Sequence, residues 1–225
     1  MFLLQRKKRP VIVTIHGFGQ RLHTEFDPLK DYFHKKYKVV QFDIYDVNNP
    51  SDANEKEWIG RCERQMREIT QQGGPVILIG FSMGGVIASY LATIFPVEKL
   101  ILVAPAFEYL NVQKVLNQGI KMVKKMASTE TKSNKPSSQQ TLAFTNIVST
   151  YKESIAEVSC PVLLLHGLDD EVIPISSSKN ACKKLSCKHQ LILFDGGKHR
   201  MLYDNTIQNN IFPIIECMIE GKLVN

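Results

Sequence analysis

Apolar residues fall along the chain in short runs separated by segments of helical spacing, a pattern that predicts strands alternating with helices. Val11 to Ile15, after Pro10, reads as a strand that ends in the tight loop His16-Gly17-Phe18-Gly19. Asp27-Pro28 offers a helix cap with proline at the first helical position, and Leu29, Tyr32, Phe33 and Tyr37 supply a buried face. Val39 to Tyr45 is the next predicted strand, and strand-helix-strand in this spacing implies a parallel pair with a right-handed crossover. The polar loop from Asp46 to Ala53 leads to a helix with Trp58, Ile59, Cys62, Met66 and Ile69 on one stripe. Asn54 and Glu57 resemble a capping box at its start, and Gly73-Gly74-Pro75 stops it. On that stripe Trp58 reads as core rather than as a ligand-stacking ring.

Val76 to Ile79 is a buried strand that runs directly into Gly80-Phe81-Ser82-Met83-Gly84, and Gly85 to Phe95 then carries helical spacing until Pro96. Leu100 to Ala104 gives another strand, after which the alternation breaks. Residues 106 to 150 hold Val112, Val115, Leu116, Ile120, Val123 and Met126 on an apolar stripe backed by Lys114, Lys121, Lys124 and Lys125. A polar stretch from Ser128 to Gln140 follows and is expected to be mobile. This region has no strand signal and reads as an inserted helical cap. Order resumes at Cys160-Pro161 with the strand Val162 to Leu165, which closes in His166-Gly167-Leu168-Asp169-Asp170. A helix around Ser177 to Leu185, a strand Leu191 to Phe194 and the loop Asp195-Gly196-Gly197-Lys198-His199 come next. Ile207, Ile211, Ile214, Ile215 and Met218 make a last helical face, expected to be interrupted at Pro213.

The 225 residues, 44% hydrophobic, suffice for one sizeable core, so a single domain over 1–225 with the insertion at about 106–150 is expected. The net charge of +6 is unevenly spread: Arg6, Lys7, Lys8 and Arg9 form a knot, and residues 106 to 150 hold six lysines against two glutamates. No nucleic-acid-binding motif accompanies that charge, so a solvated surface accounts for it better than a nucleic-acid partner. The Lys-backed stripe reads first as a lid over the crevice and second as a patch that docks on anionic lipid. Met1 to Leu4 run at once into the basic knot, without the apolar core of a secretory signal, and no run is long enough to span a bilayer. Cys62, Cys160, Cys182, Cys187 and Cys217 match neither a redox pair nor a zinc spacing, and free thiols in a reducing cytoplasm explain them.

The chemistry converges on Ser82. A glycine two residues to either side suits a turn so sharp that a side chain there would strike the serine backbone, leaving the hydroxyl exposed above a helix N-terminus. A serine hydroxyl is almost wholly protonated near neutral pH and needs a base, which in turn needs an orienting carboxylate. In a doubly wound sheet, loops after the carboxyl ends of the strands share one crevice. Ser82, Asp170 and His199 each follow a predicted strand, in the order Ser, Asp, His.

Four motifs together resemble the α/β-hydrolase superfamily, closest to its small serine esterases and monoglyceride-lipase-like members. They are His16-Gly17-Phe18-Gly19, Gly80-Phe81-Ser82-Met83-Gly84-Gly85, His166-Gly167 with Asp170 and Val172-Ile173-Pro174, and Gly196-Gly197-Lys198-His199. The resemblance implies a minimal α/β-hydrolase fold: a mostly parallel sheet of about six strands with helices on both faces, a short helical cap and no antiparallel N-terminal hairpin. It implies Ser82 as nucleophile, His199 as general base and then acid, and Asp170 as the group that fixes the imidazole tautomer. The backbone N–H groups of Phe18 and Met83 would form the oxyanion hole. Neither a cofactor nor a metal is required, and the partner would be a small-molecule ester. Haloalkane-dehalogenase relatives carry Asp at the elbow and dienelactone-hydrolase relatives usually Cys, so Ser82 points to a carboxylesterase. A membrane lipase or lysophospholipase, a thioesterase or acyltransferase with the same triad, and a non-catalytic binding module are the alternatives. One departure is that Tyr45-Asp46-Val47-Asn48-Asn49-Pro50 stands where the family usually has Arg-Gly-x-Gly-x-Ser.

Five neighbours compete for these roles. Asp169 could replace Asp170, although its spacing from His166-Gly167 is less favourable. Asp195 reads as a turn former, His16 and His166 as structural histidines in His-Gly turns, and His189 as a strand residue without a role.

Overall fold

The computed structural model describes residues 8–109 and 135–224. Six parallel strands form one sheet: β1 (Val11–Ile15), β2 (Lys38–Val40), β3 (Val76–Phe81), β4 (Lys99–Val103), β5 (Val162–Gly167) and β6 (His189–Phe194). Their order across the sheet is β2-β1-β3-β4-β5-β6. The chain winds outward from β1 to β2 and then returns to the other side of β1 for β3, so the order reverses between β1 and β3. Loops leaving those two strands diverge and open a crevice at their carboxyl ends. Register places Ile15 beside Gly80, which sets the loop after β1 next to the elbow after β3.

Both faces of the sheet are covered, which is why its central strands are continuous apolar runs rather than alternating ones. Val13, Ile15, Leu78, Leu102 and Leu164 point to one face, where α2 (Glu55–Gln71), α3 (Met83–Ile94) and α4 (Ser138–Tyr151) pack. Ile12, Ile77, Ile79, Val103 and Leu165 point to the other, against α1 (Asp27–Phe33) and α6 (Gln208–Ile219). A further helix among the described residues, α5 (Ser176–Lys184), lies between β5 and β6 in sequence. The α2 stripe is as expected: Trp58, Ile59, Cys62, Met66 and Ile69 are all buried.

Several details depart from the sequence reading. The strand expected from Val39 to Tyr45 pairs only as far as Val40. Beyond that point side chains take over its backbone: the Ile44 N–H donates to His16 Nε2 at 2.9 Å, and Asp43 turns to His23. Asp27 is the first residue of α1 rather than its cap, and its carboxylate accepts a hydrogen bond from Gln41. Leu29 and Phe33 are fully buried, but Tyr32 is 40% exposed, with its hydroxyl donating to Glu216. Asn54 accepts from the N–H groups of Lys56 and Glu57 without the reciprocal bond of a full capping box. A full box occurs at Ser137 and Gln140 instead, inside the stretch expected to be mobile. Pro213 does not interrupt α6; the bond its ring forfeits lies on the exposed face of the helix.

The stripe from Val112 to Met126 lies outside the described residues. The part of the insertion that is described ends in α4, whose Ala143, Phe144, Ile147 and Val148 are buried against α2 and α3. Gln140, fully buried, ties α4 to the loop after β2 through its amide N–H groups, which donate to the carbonyls of Asp46, Asn49 and Asp52.

Candidate active site

Ser82 is the single residue between the end of β3 and the start of α3, and it has φ 53° and ψ −119°. A non-glycine residue in that conformation costs about 1–3 kcal/mol and persists only where its surroundings fix it. Here the Ser82 N–H donates to Val103 O at 3.0 Å, and the Ser82 carbonyl accepts from Gly85 and Ala106 at 3.0 and 3.1 Å. Close packing explains the flanking glycines. A Cβ on Gly84 would lie 2.0 Å from the carbonyl oxygen of Ile15, and one on Gly80 would lie 2.4 Å from that of Gly84.

His199 reaches this point from the loop after β6. Its Nε2 is 3.2 Å from Ser82 Oγ, and its Nδ1 is 2.8 Å from Asp170 Oδ2. The ring packs against Phe81, with centroids 4.9 Å apart, and is 1% exposed. The structure thus brings Ser82, His199 and Asp170 into one hydrogen-bonded line. Asp169 is not part of it: its side chain is exposed, and only its backbone contributes, donating to Gly197 O.

Asp170 has a full set of donors. Oδ1 accepts from the N–H groups of Val172 and Ile173, both at 2.8 Å, while Oδ2 faces His199 Nδ1 and, at 3.3 Å, His166 Nε2. Burial alone would raise the pKa of this carboxyl. The hydrogen bonds from His166, His199 and the Ile173 backbone outweigh it and hold the group well below the usual carboxylate range.

Phe18 and Met83 are the other two residues expected at the site. Met83 opens α3, and Phe18 follows Gly17, where a Cβ would lie 3.1 Å from Ser82 Cβ. Neither backbone N–H finds an acceptor among the described residues, although both belong to buried residues. The Phe18 ring stacks on Phe144 at 4.8 Å and 6°, so α4 closes over the β1 loop.

The histidines left over divide. His16 Nδ1–H donates to Gly17 O at 2.7 Å while its Nε2 accepts from Ile44, an arrangement only a neutral ring can make. Burial lowers its pKa to about 4, against the Gly17 carbonyl, which favours the charged form. That is the structural role expected. His166 is also buried, but its His-Gly pair ends β5 instead of forming a turn, and its ring lies 3.3 Å from the Asp170 carboxylate, a contact with no signal in the sequence. Two more residues were missed. Glu171 Oε2 accepts the His199 backbone N–H at 3.3 Å, and the Tyr45 hydroxyl both donates to Gly19 O and accepts from Gly19 N–H. Only adjacency to Asp170 could have flagged Glu171; for Tyr45 the pattern holds no signal, because it read as the end of a strand. Asp195 and His189 are exposed and away from the line, as expected. Among the described residues no group of three or more His, Cys, Asp or Glu side chains is arranged to hold a metal ion.

Known proteins resemble the chain across nearly its whole length. The family model described as serine aminopeptidase, S33, matches residues 112–206, a stretch that includes Asp170 and His199 but not Ser82. The mitochondrial palmitoyl-protein thioesterase ABHD10 of Homo sapiens is 25% identical over 221 residues, covering 92% of this chain and 72% of that protein. The monoacylglycerol lipase of Paleococcus ferrophilus superposes with a TM-score of 0.73 at 16% identity, covering 95% of this chain and 96% of that one. Mouse α/β hydrolase domain-containing protein 10 superposes with a TM-score of 0.67 at 20% identity, covering 96% and 92%. Strand order, elbow and these likenesses agree on the fold: six parallel strands with helices on both faces make a minimal α/β-hydrolase fold.

Proposed function

We propose that the chain is a serine hydrolase that cleaves carboxylic esters through an acyl-enzyme on Ser82. The observation that carries this reading is the hydrogen-bonded line from Ser82 Oγ to His199 Nε2 at 3.2 Å and from His199 Nδ1 to Asp170 Oδ2 at 2.8 Å. The Ser82 hydroxyl attacks the acyl carbonyl as its proton passes to His199 Nε2. Asp170 keeps the remaining ring proton on Nδ1 and stabilises the imidazolium. The negative oxygen of the tetrahedral intermediate is held by the N–H groups of Phe18 and Met83, and losing one such donor typically costs about 3 kcal/mol. His199 then gives its proton to the departing alcohol, and water, activated by the same imidazole, frees the acid.

A thioester is the second substrate class, favoured by the likeness to a protein named as a palmitoyl-protein thioesterase. The same line of groups serves it, and a thiolate needs less help from His199 to depart. The five cysteines are free thiols, which fits a reducing compartment such as the cytoplasm; the human relative's name places that protein in mitochondria. Among the described residues no helix is long and apolar enough to cross a membrane.

The test is labelling by a fluorophosphonate probe, followed by rates on matched acyl esters and thioesters from acetyl to palmitoyl. Labelling at Ser82 that Ser82→Ala abolishes is the expected result. Folded protein that refuses the probe would replace this reading with that of a binding module.

A further inference from the structure

His166 is fully buried one residue before the end of β5, and both its nitrogens are occupied. Nε2 lies 3.1 Å from Ile173 O and 3.3 Å from Asp170 Oδ2, while Nδ1 lies 2.7 Å from Ser178 Oγ on α5. A carbonyl oxygen and an ionised carboxylate can only accept, so the proton of the neutral ring must sit on Nε2 and be shared between them. Nδ1 is then the acceptor, and the Ser178 hydroxyl donates to it. The tautomer of His166 is therefore fixed from both sides, as that of His199 is.

Asp170 Oδ2 thus faces two imidazoles, hydrogen-bonded to His199 Nδ1 at 2.8 Å and lying 3.3 Å from the His166 Nε2 that also bonds Ile173 O, while Oδ1 receives two backbone N–H groups. Four N–H groups surround the carboxylate. Without His166 the oxygen facing His199 would keep one donor and a buried lone pair with no partner, a state that favours rotation or protonation of the group. We propose that His166, backed by Ser178, is a positioning residue of the active site, whose Nε2–H holds the Asp170 carboxylate in the rotamer that aims Oδ2 at His199. This rests on the reading of Ser82 as nucleophile. His166 touches no substrate; it acts through Asp170 and so on the basicity and aim of His199. The arrangement also accounts for the four-residue spacing between His166 and Asp170: the turn after β5 folds the carboxylate back over the ring.

The experiment compares wild type, His166→Phe, His166→Gln and Ser178→Ala. It reads turnover of p-nitrophenyl acetate, the rate of fluorophosphonate labelling and the downfield imidazole N–H protons of protein carrying nitrogen-15 histidine. His166→Phe keeps the ring volume but loses the donor. Its kcat and labelling rate should fall about 10- to 100-fold with KM within about twofold, as expected of small misplacements of catalytic groups. The His199 Nδ1–H resonance should move upfield. His166→Gln, which keeps an N–H near Nε2, should recover much of the loss. Ser178→Ala removes only the hydroxyl that sets the tautomer, so it tests the idea even where the Phe variant fails to fold; a several-fold fall in kcat is expected. Wild-type rates and an unmoved His199 resonance in folded His166→Phe or in Ser178→Ala would overturn the proposal. Wild-type protein that refuses the probe would instead overturn the assignment of Ser82, and the two failures are distinct.

Discussion

Gly167 and Gly197 pass so close that a Cβ on Gly167 would lie 2.0 Å from the Gly197 carbonyl oxygen, and a Cβ on Gly197 2.8 Å from the Gly167 Cα. This contact clamps the end of β5 to the loop after β6 and so sets the distance between Asp170 and His199. The obstacle to a side chain there is backbone, which no rotamer change can relieve. Gly167→Ala should lower stability by about 1–3 kcal/mol and, in the protein that still folds, lower kcat by about 100-fold through misplacement of the two groups. Gly196→Ala is the matched control: its φ is +69°, but nothing lies within 4 Å of the added Cβ. It should cost only the left-handed strain, about 1 kcal/mol, with turnover close to wild type. Urea unfolding and ester turnover on the two variants check this.

Tyr45 is bound to the backbone of the β1 loop from both directions, with O–H to Gly19 O at 2.7 Å and Gly19 N–H to Oη at 2.9 Å. Its ring is locked between Trp58, 4.2 Å away, and Phe18, 5.8 Å away. Tyr45→Phe keeps the stacking and removes only the oxygen. It should destabilise by about 1 kcal/mol, because the half-buried Gly19 N–H and C=O lose their partner. The Phe18 N–H next to Gly19 would then be less well fixed, so kcat should fall while KM holds. A trifluoromethyl ketone, which mimics the tetrahedral state, should lose affinity by the same factor as kcat/KM.

The sheet was legible because each strand is a compact apolar run, and the meeting of Ser82, Asp170 and His199 because each of the three follows such a run. Three parts were not. Residues 41–45 have the composition of a strand but leave the sheet, because the pairing that would extend β2 is replaced by bonds from Ile44 to His16 and from Tyr45 to Gly19. Those are long-range side-chain contacts without any local periodicity. The second imidazole on Asp170 was hidden for a similar reason: a His-Gly turn reads the same whether its ring faces solvent, a carbonyl or a carboxylate. Propensity predicts a break at Pro213 because it counts the bond the ring forfeits and cannot see that Ile211, Phe212 and Ile215 hold the helix to the sheet on its other side.

His16 gives a pH dependence of stability separate from that of the carboxylates. Buried and neutral, with a pKa near 4 against an ordinary 6.5, it binds fewer protons folded than unfolded throughout that interval. Stability therefore rises with pH across it and falls as acid is added. Between pH 7 and pH 5 the loss should be about 2 kcal/mol. The carboxylates held low by hydrogen bonds, Asp170 and Glu216 among them, lose their contribution only below their unfolded values of 3.8 and 4.5. Urea unfolding at the two pH values should show the slope in wild type and not in His16→Gln. A slope unchanged by that substitution would mean that another group carries it.

The donors around Asp170 also predict what an amide would do in its place. In Asp170→Asn one oxygen becomes an NH2 group, which must face either two backbone N–H groups or two imidazole N–H groups. The backbone groups of Val172 and Ile173 cannot change their character, so the amide oxygen stays with them and the NH2 turns to the histidines. His199 must then give up its Nδ1 proton and carry it on Nε2, where it can no longer accept from Ser82. Turnover should fall by about ten-thousand-fold, the size of effect that a wrong tautomer produces in serine proteases. Asp169→Asn should leave turnover near wild type, since only the backbone of Asp169 takes part. Glu171→Gln keeps an oxygen for the His199 N–H and should stay within about threefold of wild type. Ester turnover on the three variants, with histidine nitrogen shifts to read the tautomer, separates the roles of three adjacent acids. Equal losses at Asp169 and Asp170 would contradict the assignment.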